Sequence, residues 1–214
     1  MEVRKYCEKR YVFDSIEEVK KFVDIEKWRE QNYEWLNEEI DISIRCQADY
    51  IVEFLKKNGF FKVEPCWSFS YSQGDGASFL AEWSRPDRWL LKKWAKEYFP
   101  KDDEITDIME RLREVVDEYK IGWFKIGNNS YGWHYCHSNT KQIDDVEFEA
   151  DEYIDVVERE LEEVVSELMS WFENRLEAIA YYEYTDDEIA ELIVTNEWEI
   201  DESCLKEIPD GGEK

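Results

Sequence analysis

The segment WSFSYSQGDGASF, Trp67 to Phe79, places the side-chain oxygens of Ser72, Gln73 and Asp75 beside the backbone amides of Gly74 and Gly76. Oxygens and exposed amides at this spacing could hold a small ligand or a cation. The plainer alternative is a tight turn, in which the glycines take positive φ and Asp75 bonds nearby amides, and that structural reading is preferred. No Gly-Lys-Ser/Thr follows, so this is not a phosphate-cradling loop, and the acid spacing is not that of a calcium-binding helix-loop-helix. Both histidines, His134 and His137, flank Cys136. On a strand His134 and Cys136 share a face and His137 points away, so zinc would need Cys66 from a neighbouring strand and a further ligand. Packed or hydrogen-bonded histidines are the simpler expectation, and no metal or cofactor is assigned. Asp75, Glu82 and His134 could be assembled into an acid–base site. Any acidic chain offers such trios, and no nucleophile elbow, zinc-protease helix or dinucleotide fingerprint is present. The expectation is a binding protein without catalytic residues.

Charge supports binding. Residues 141–214 carry 26 Asp and Glu against 5 Lys and Arg, which accounts for most of the net −26 of the 214-residue chain. Such a field repels nucleic acid and anionic membranes and attracts basic protein surfaces. Glu152, Asp155, Glu158, Glu162, Glu163 and Glu167 recur every three or four positions, and Asp186, Asp187, Glu188 and Glu191 could extend the series. On a helix rising ~1.5 Å per residue, that recurrence puts carboxylates roughly 5 to 6 Å apart along one side. Such a spacing approaches that of phosphates along one nucleic-acid strand. The expected use is imitation of a nucleic-acid backbone in a basic groove. A merely solvated helix face is the bland alternative.

The elements that must position these residues can be read from periodicity. Asp14 or Ser15 can cap a helix carrying Ile16, Val19, Phe22 and Val23. Trp28 to Lys57 reads as one long helix, with apolar positions from Trp35 to Leu55 on one face and Asn58-Gly59 as its stop. Phe61 to Tyr71 alternates with period two, Pro65 suggesting an edge or a bulge, and Ala77 to Trp83 returns as the second strand of a hairpin. Helices are expected at Arg88 to Tyr98 and Asp103 to Tyr119. A second hairpin is expected from Ile121 to Ile126 and Tyr131 to Cys136, and a fifth strand from Gln142 to Phe148. Ile154, Val157, Leu161, Val164, Leu168, Phe172, Leu176 and Ile179 form one helical stripe, with Glu173 among the acids expected on the rest of that helix. Thr185 with Glu188 makes a capping box for a last helix. The tryptophans are mostly expected in packing, with one or two left for an interface. The fold class is therefore α+β. A four- to five-stranded antiparallel sheet packs against N-terminal helices and a long acidic C-terminal helix. One domain is expected over residues 1–202, with an acidic helical lobe at about 150–199 and a frayed tail at 203–214.

Ser72-Gln73-Gly74-Asp75-Gly76-Ala77-Ser78-Phe79 resembles a signature of an uncharacterised family found largely in tailed phages and prophages, often labelled antitoxin-like. The similarity extends to the Trp35 to Phe61 helix, to Tyr182 through Glu188, and to Asn196-Glu197-Trp198, while Arg88 to Tyr119 has no counterpart. The resemblance implies a phage or mobile-element origin and supplies no catalytic residue. Joined to the acidic series, it leads to an expected inhibitor of a host nucleic-acid-binding defence protein, of the anti-CRISPR or antirestriction type. An antitoxin-like module neutralising a basic protein, or a metal-dependent enzyme using the Gly-Asp-Gly loop and the histidines, are the alternatives. The expected partner is a basic host protein, with no direct nucleic acid and no membrane. Five scattered cysteines without a Cys-x-x-Cys pair, and a charged N-terminus, set the expected location as the cytoplasm of an infected or lysogenic bacterium.

Overall fold

The computed structural model describes residues 4–7, 10–69, 75–86, 89–129, 136–149, 153–182 and 184–206. The fold is α+β, and its contacts gather into two compact units. One comprises Met1–Asp41 with Tyr182–Lys214, the other Ile42–Tyr181. Residues 150–199, expected as one helical lobe, are shared between them because their two apolar stripes have different partners. No helix among the described residues is long and apolar enough to cross a membrane.

The larger unit is built on a four-stranded antiparallel sheet of β3 (Phe60–Ser68), β4 (Gly76–Ser84), β5 (Trp123–Asn128) and β6 (Lys141–Glu147), in that spatial order. β3 is an edge strand, where Pro65 removes no ladder donor that a neighbour needs. Its register slips between Phe61 and Glu64, where Lys62 adopts φ 50°, so the strict alternation expected from Phe61 onward is broken by a bulge. The second expected hairpin is corrected in part. β5 pairs with β4 on one side and β6 on the other, so β6, the expected fifth strand, is its hairpin partner. Residues 131–135 lie outside the described residues.

One face of the sheet is covered by α6 (Ile154–Ala180), whose Val157, Leu161, Val164, Leu168, Phe172 and Leu176 are buried at the spacing the sequence shows. Phe79 of β4 meets Phe172 edge-on at 5.4 Å, and Trp83, fully buried, stacks on Phe124 of β5 at 5.0 Å. α4 (Leu91–Tyr98) and α5 (Asp103–Glu118) extend this core through Leu91, Ala95, Ile105, Met109 and Leu112. Asp102 caps α5 by accepting from Ile105 N at 3.4 Å. The second half of α3 (Tyr33–Lys57) contributes Ile51, Phe54 and Leu55. It ends at Gly59, φ 96°, where a Cβ would lie 2.5 Å from Ser84 O.

The smaller unit holds β1 (Arg4–Cys7), β2 (Arg10–Val12) and β7 (Ile200–Asp201) in one antiparallel sheet. It also holds α1 (Ile16–Phe22), α2 (Ile25–Gln31), the start of α3 and α7 (Asp186–Thr195). Val19, Phe22, Trp28, Leu36, Ile189, Ala190 and Ile193 form its core, with Trp198 stacked on Trp28 at 5.0 Å and edge-on to Trp35 at 4.4 Å. The expected helix from Trp28 to Lys57 is two helices. Asp24 caps α2, and Asn32 ends it by turning its side-chain amide onto Trp28 O at 2.8 Å. Trp28 and Leu36 keep helical phase across this break, which is why periodicity alone runs through it. Cys204 is buried and Leu205 bridges to Val23, so the expected frayed tail is packed as far as Lys206, with 207–214 outside the described residues.

Candidate functional site

α5 and α6 pack side by side and enclose two adjoining grooves that share Arg111. The larger, about 630 Å³, is lined by Glu104, Asp107, Ile108, Arg111, Ser166, Glu167 and Ser170. The second, about 440 Å³, is lined by Glu114, Val115, Glu118, Arg159, Glu160, Glu163 and Val164 besides Arg111. α5 carries seven acidic residues and two arginines, and α6 eight acidic residues and two arginines. Among the described residues, Glu167 is paired with Arg111, and Glu110 with Lys92 at 3.0 Å. Asp107, Glu114, Glu160 and Glu163 make no ion pair there. Their fields therefore add along the groove rather than cancel.

The acidic residues expected to form one track are distributed over three settings. Glu162 faces the sheet, accepting from Ile143 N of β6 at 3.4 Å, and Glu158 and Asp155, one and two turns earlier, lie in its row. Glu163 and Glu167 lie on the opposite flank, beside α5. Glu152 is outside the described residues. Asp186, Asp187, Glu188 and Glu191 belong to α7, in the smaller unit. There Asp186 pairs with Arg29 at 3.2 Å and Asp187 with Lys20 at 2.6 Å. Glu188 completes the capping box, accepting from Thr185 N at 2.8 Å. The Tyr182 hydroxyl beside it, followed by Thr185, holds the Glu188 carboxyl below its usual value. Glu191 is exposed.

Of the signature loop, Ser72, Gln73 and Gly74 lie outside the described residues. Asp75 accepts from Ser68 Oγ at 2.8 Å, closing the base of the hairpin. Gly76, φ 149°, has no room for a side chain, since a Cβ would sit 2.0 Å from Glu173 Oε1 and 2.9 Å from His137 Cα. The missing side chain lets the chain at His137 cross beside the start of β4. Glu173, expected among the solvated acids, is instead buried, and its two oxygens accept from Ala77 N and Ser138 N at 3.3 Å each. It thereby ties α6 to both the loop and the crossing. His137 Nδ1 accepts from Asn139 N at 3.2 Å and lies 3.7 Å from Glu173. His134 is outside the described residues. Cys66 and Cys136 do approach each other around Ser78. Among the described residues, however, no three His, Cys, Asp or Glu side chains are placed to hold a metal ion.

The trio Asp75, Glu82 and His134 gains no support from the strand geometry. Asp75 precedes the first residue of β4, and Glu82 lies near its far end, ion-paired with Lys62 at 2.7 Å. Seven residues of strand separate them by roughly 23 Å, far beyond proton-transfer reach. What the sequence did not bring forward is α5. Its seven acidic residues precede residue 141 and so lie outside the stretch that carries most of the net charge.

The fold and grooves define an α+β protein with a strongly acidic two-helix face. The chain belongs to the family described as "Domain of unknown function (DUF8835)", whose model matches residues 25–187. That span runs from the start of α2 into the first turn of α7, so it includes α5, α6 and the signature loop. No curated protein and no solved structure matches the chain.

Proposed function

We propose that this protein is a non-enzymatic inhibitor whose α5–α6 face occupies the basic groove of a host nucleic-acid-binding protein, as a nucleic-acid backbone would. The observation that carries it is the groove lining, in which Glu104, Asp107, Glu114, Glu118, Glu160, Glu163 and Glu167 face only Arg111 and Arg159. Self-repulsion of this density costs stability, and a basic partner would relieve it. Carboxylates one helical turn apart, as at Glu160, Glu163 and Glu167, stand ~5 Å apart, a spacing comparable with successive phosphates. The resemblance of Ser72 to Phe79 to a phage and prophage signature suggests the setting, the cytoplasm of an infected or lysogenic bacterium. A host defence nuclease is the kind of basic protein whose capture would serve the phage.

The test is capture from bacterial lysate by the immobilised chain. A nucleic-acid-binding protein retained at low salt, released at high salt and displaced by added DNA or RNA is the expected result. A small basic protein that nucleic acid does not displace would replace mimicry with the antitoxin-like alternative. Retention of nothing basic would remove both.

A further inference from the structure

We propose that Cys66 and Cys136 form a paired thiol site that peroxides oxidise to an intramolecular disulfide. Cys66 lies on the edge strand β3, directly opposite Ser78 of β4 in the ladder. Ser78, fully buried, touches the Cys66 thiol at 3.3 Å and donates to the Cys136 carbonyl at 2.5 Å. Ser78 therefore bridges the Cys66 side chain and the Cys136 backbone. Both cysteines are half-buried, so a small oxidant reaches them while bulk thiols are hindered. Cys46 is exposed, and Cys204 is buried with its thiol donating to Gln31 Oε1 at 2.9 Å.

The order of events follows from the two environments. Burial, then the neighbouring Cys66, pushes the Cys136 thiol up to about 11, against the pull of Lys141. At neutral pH Cys136 therefore stays protonated and is a poor attacker. The Cys66 sulfur attacks the O–O bond of a peroxide and gives up its thiol proton. One oxygen becomes the hydroxyl of a sulfenic acid on Cys66, and the other leaves as water or alcohol after taking up a proton. The Cys136 sulfur then displaces that hydroxyl, which departs as water with the Cys136 proton. Two thiols and one peroxide thus yield one disulfide and, for hydrogen peroxide, two waters. The bond would tie the crossing at residue 136 to the sheet edge, over the β4 residue that already holds both.

The experiment uses the full chain treated with hydrogen peroxide, followed by alkylation, intact mass and a non-reducing peptide map. The expected result is a mass loss of two hydrogens, one peptide pair joined through Cys66 and Cys136, loss of two titratable thiols, and full reversal by dithiothreitol. Because the wild-type chain is mapped directly, no variant has to fold for the test to decide. As a control, Cys46→Ser should leave the crosslink unchanged. The proposal is overturned if Cys66 and Cys136 both remain alkylatable, or if oxidation stops at sulfinic acid or joins other cysteines.

Discussion

The first turn of α7 and the α5–α6 face are both dense in carboxylates, yet the structure employs them differently. At α7, Asp186 and Asp187 meet Arg29 and Lys20, and Glu188 caps the helix it begins. These charges sit at the positive end of a helix dipole and next to cations, where negative charge is expected to stabilise. On α5 and α6, Asp107, Glu114, Glu160 and Glu163 recur through the middle of two packed helices, away from the helix N-termini and without ion pairs among the described residues. The acids at α7 are explained by the fold. Those on α5 and α6 are not, so a function has to account for them.

The difference can be tested by removing charges from each region. Reversing Asp107→Lys, Glu114→Lys, Glu160→Lys and Glu163→Lys together is expected to weaken binding of a captured basic partner roughly 100-fold, mainly through the association rate. Thermal stability should hold or rise, as measured by circular dichroism. Asp102 provides a paired carboxylate in the same unit. Burial pushes its carboxyl up, but hydrogen bonds from Arg175, Trp171 and Ile105 N, with the Arg175 charge, together hold it below its ordinary value. A depressed folded value means that its stabilisation is present above the unfolded pKa and is lost as pH falls through the folded one. Asp102→Asn should therefore cost about 2 kcal/mol in urea titrations at neutral pH, and progressively less in acid. Thr185→Ala, which removes the capping hydroxyl of α7, should cost about 1 kcal/mol. Asp187→Asn, which breaks an exposed pair with Lys20, should change stability by no more than about 0.5 kcal/mol.

Local chemistry was the legible part of the sequence. The Thr185–Glu188 box, the α6 stripe from Val157 to Leu176 and the Gly59 stop all depend on neighbours within a few residues, and all stand in the structure. Elements that depend on distant partners were harder to read. β1, β2 and β7 are too short and too charged to show an alternation, and they exist because they pair with one another. Asn32 breaks a helix whose apolar phase continues unbroken on either side. The candidate groove was half visible, because periodicity places Glu163 and Glu167 on one helix flank but says nothing about which helix lies beside it. Glu173 read as solvent-facing for the same reason. Its backbone partners at Ala77 and Ser138 come from a hairpin and a turn far along the chain.

The most direct test compares two neutralised variants with the wild-type chain in the same capture experiment. One carries Asp186→Asn and Asp187→Asn, the other Asp107→Asn, Glu114→Gln, Glu160→Gln and Glu163→Gln. If the α5–α6 face is the interface, the α7 variant retains the nucleic-acid-binding partner like wild type, and the α5–α6 variant releases it at lower salt. Equal retention by both variants, or loss confined to the α7 variant, would contradict the assignment.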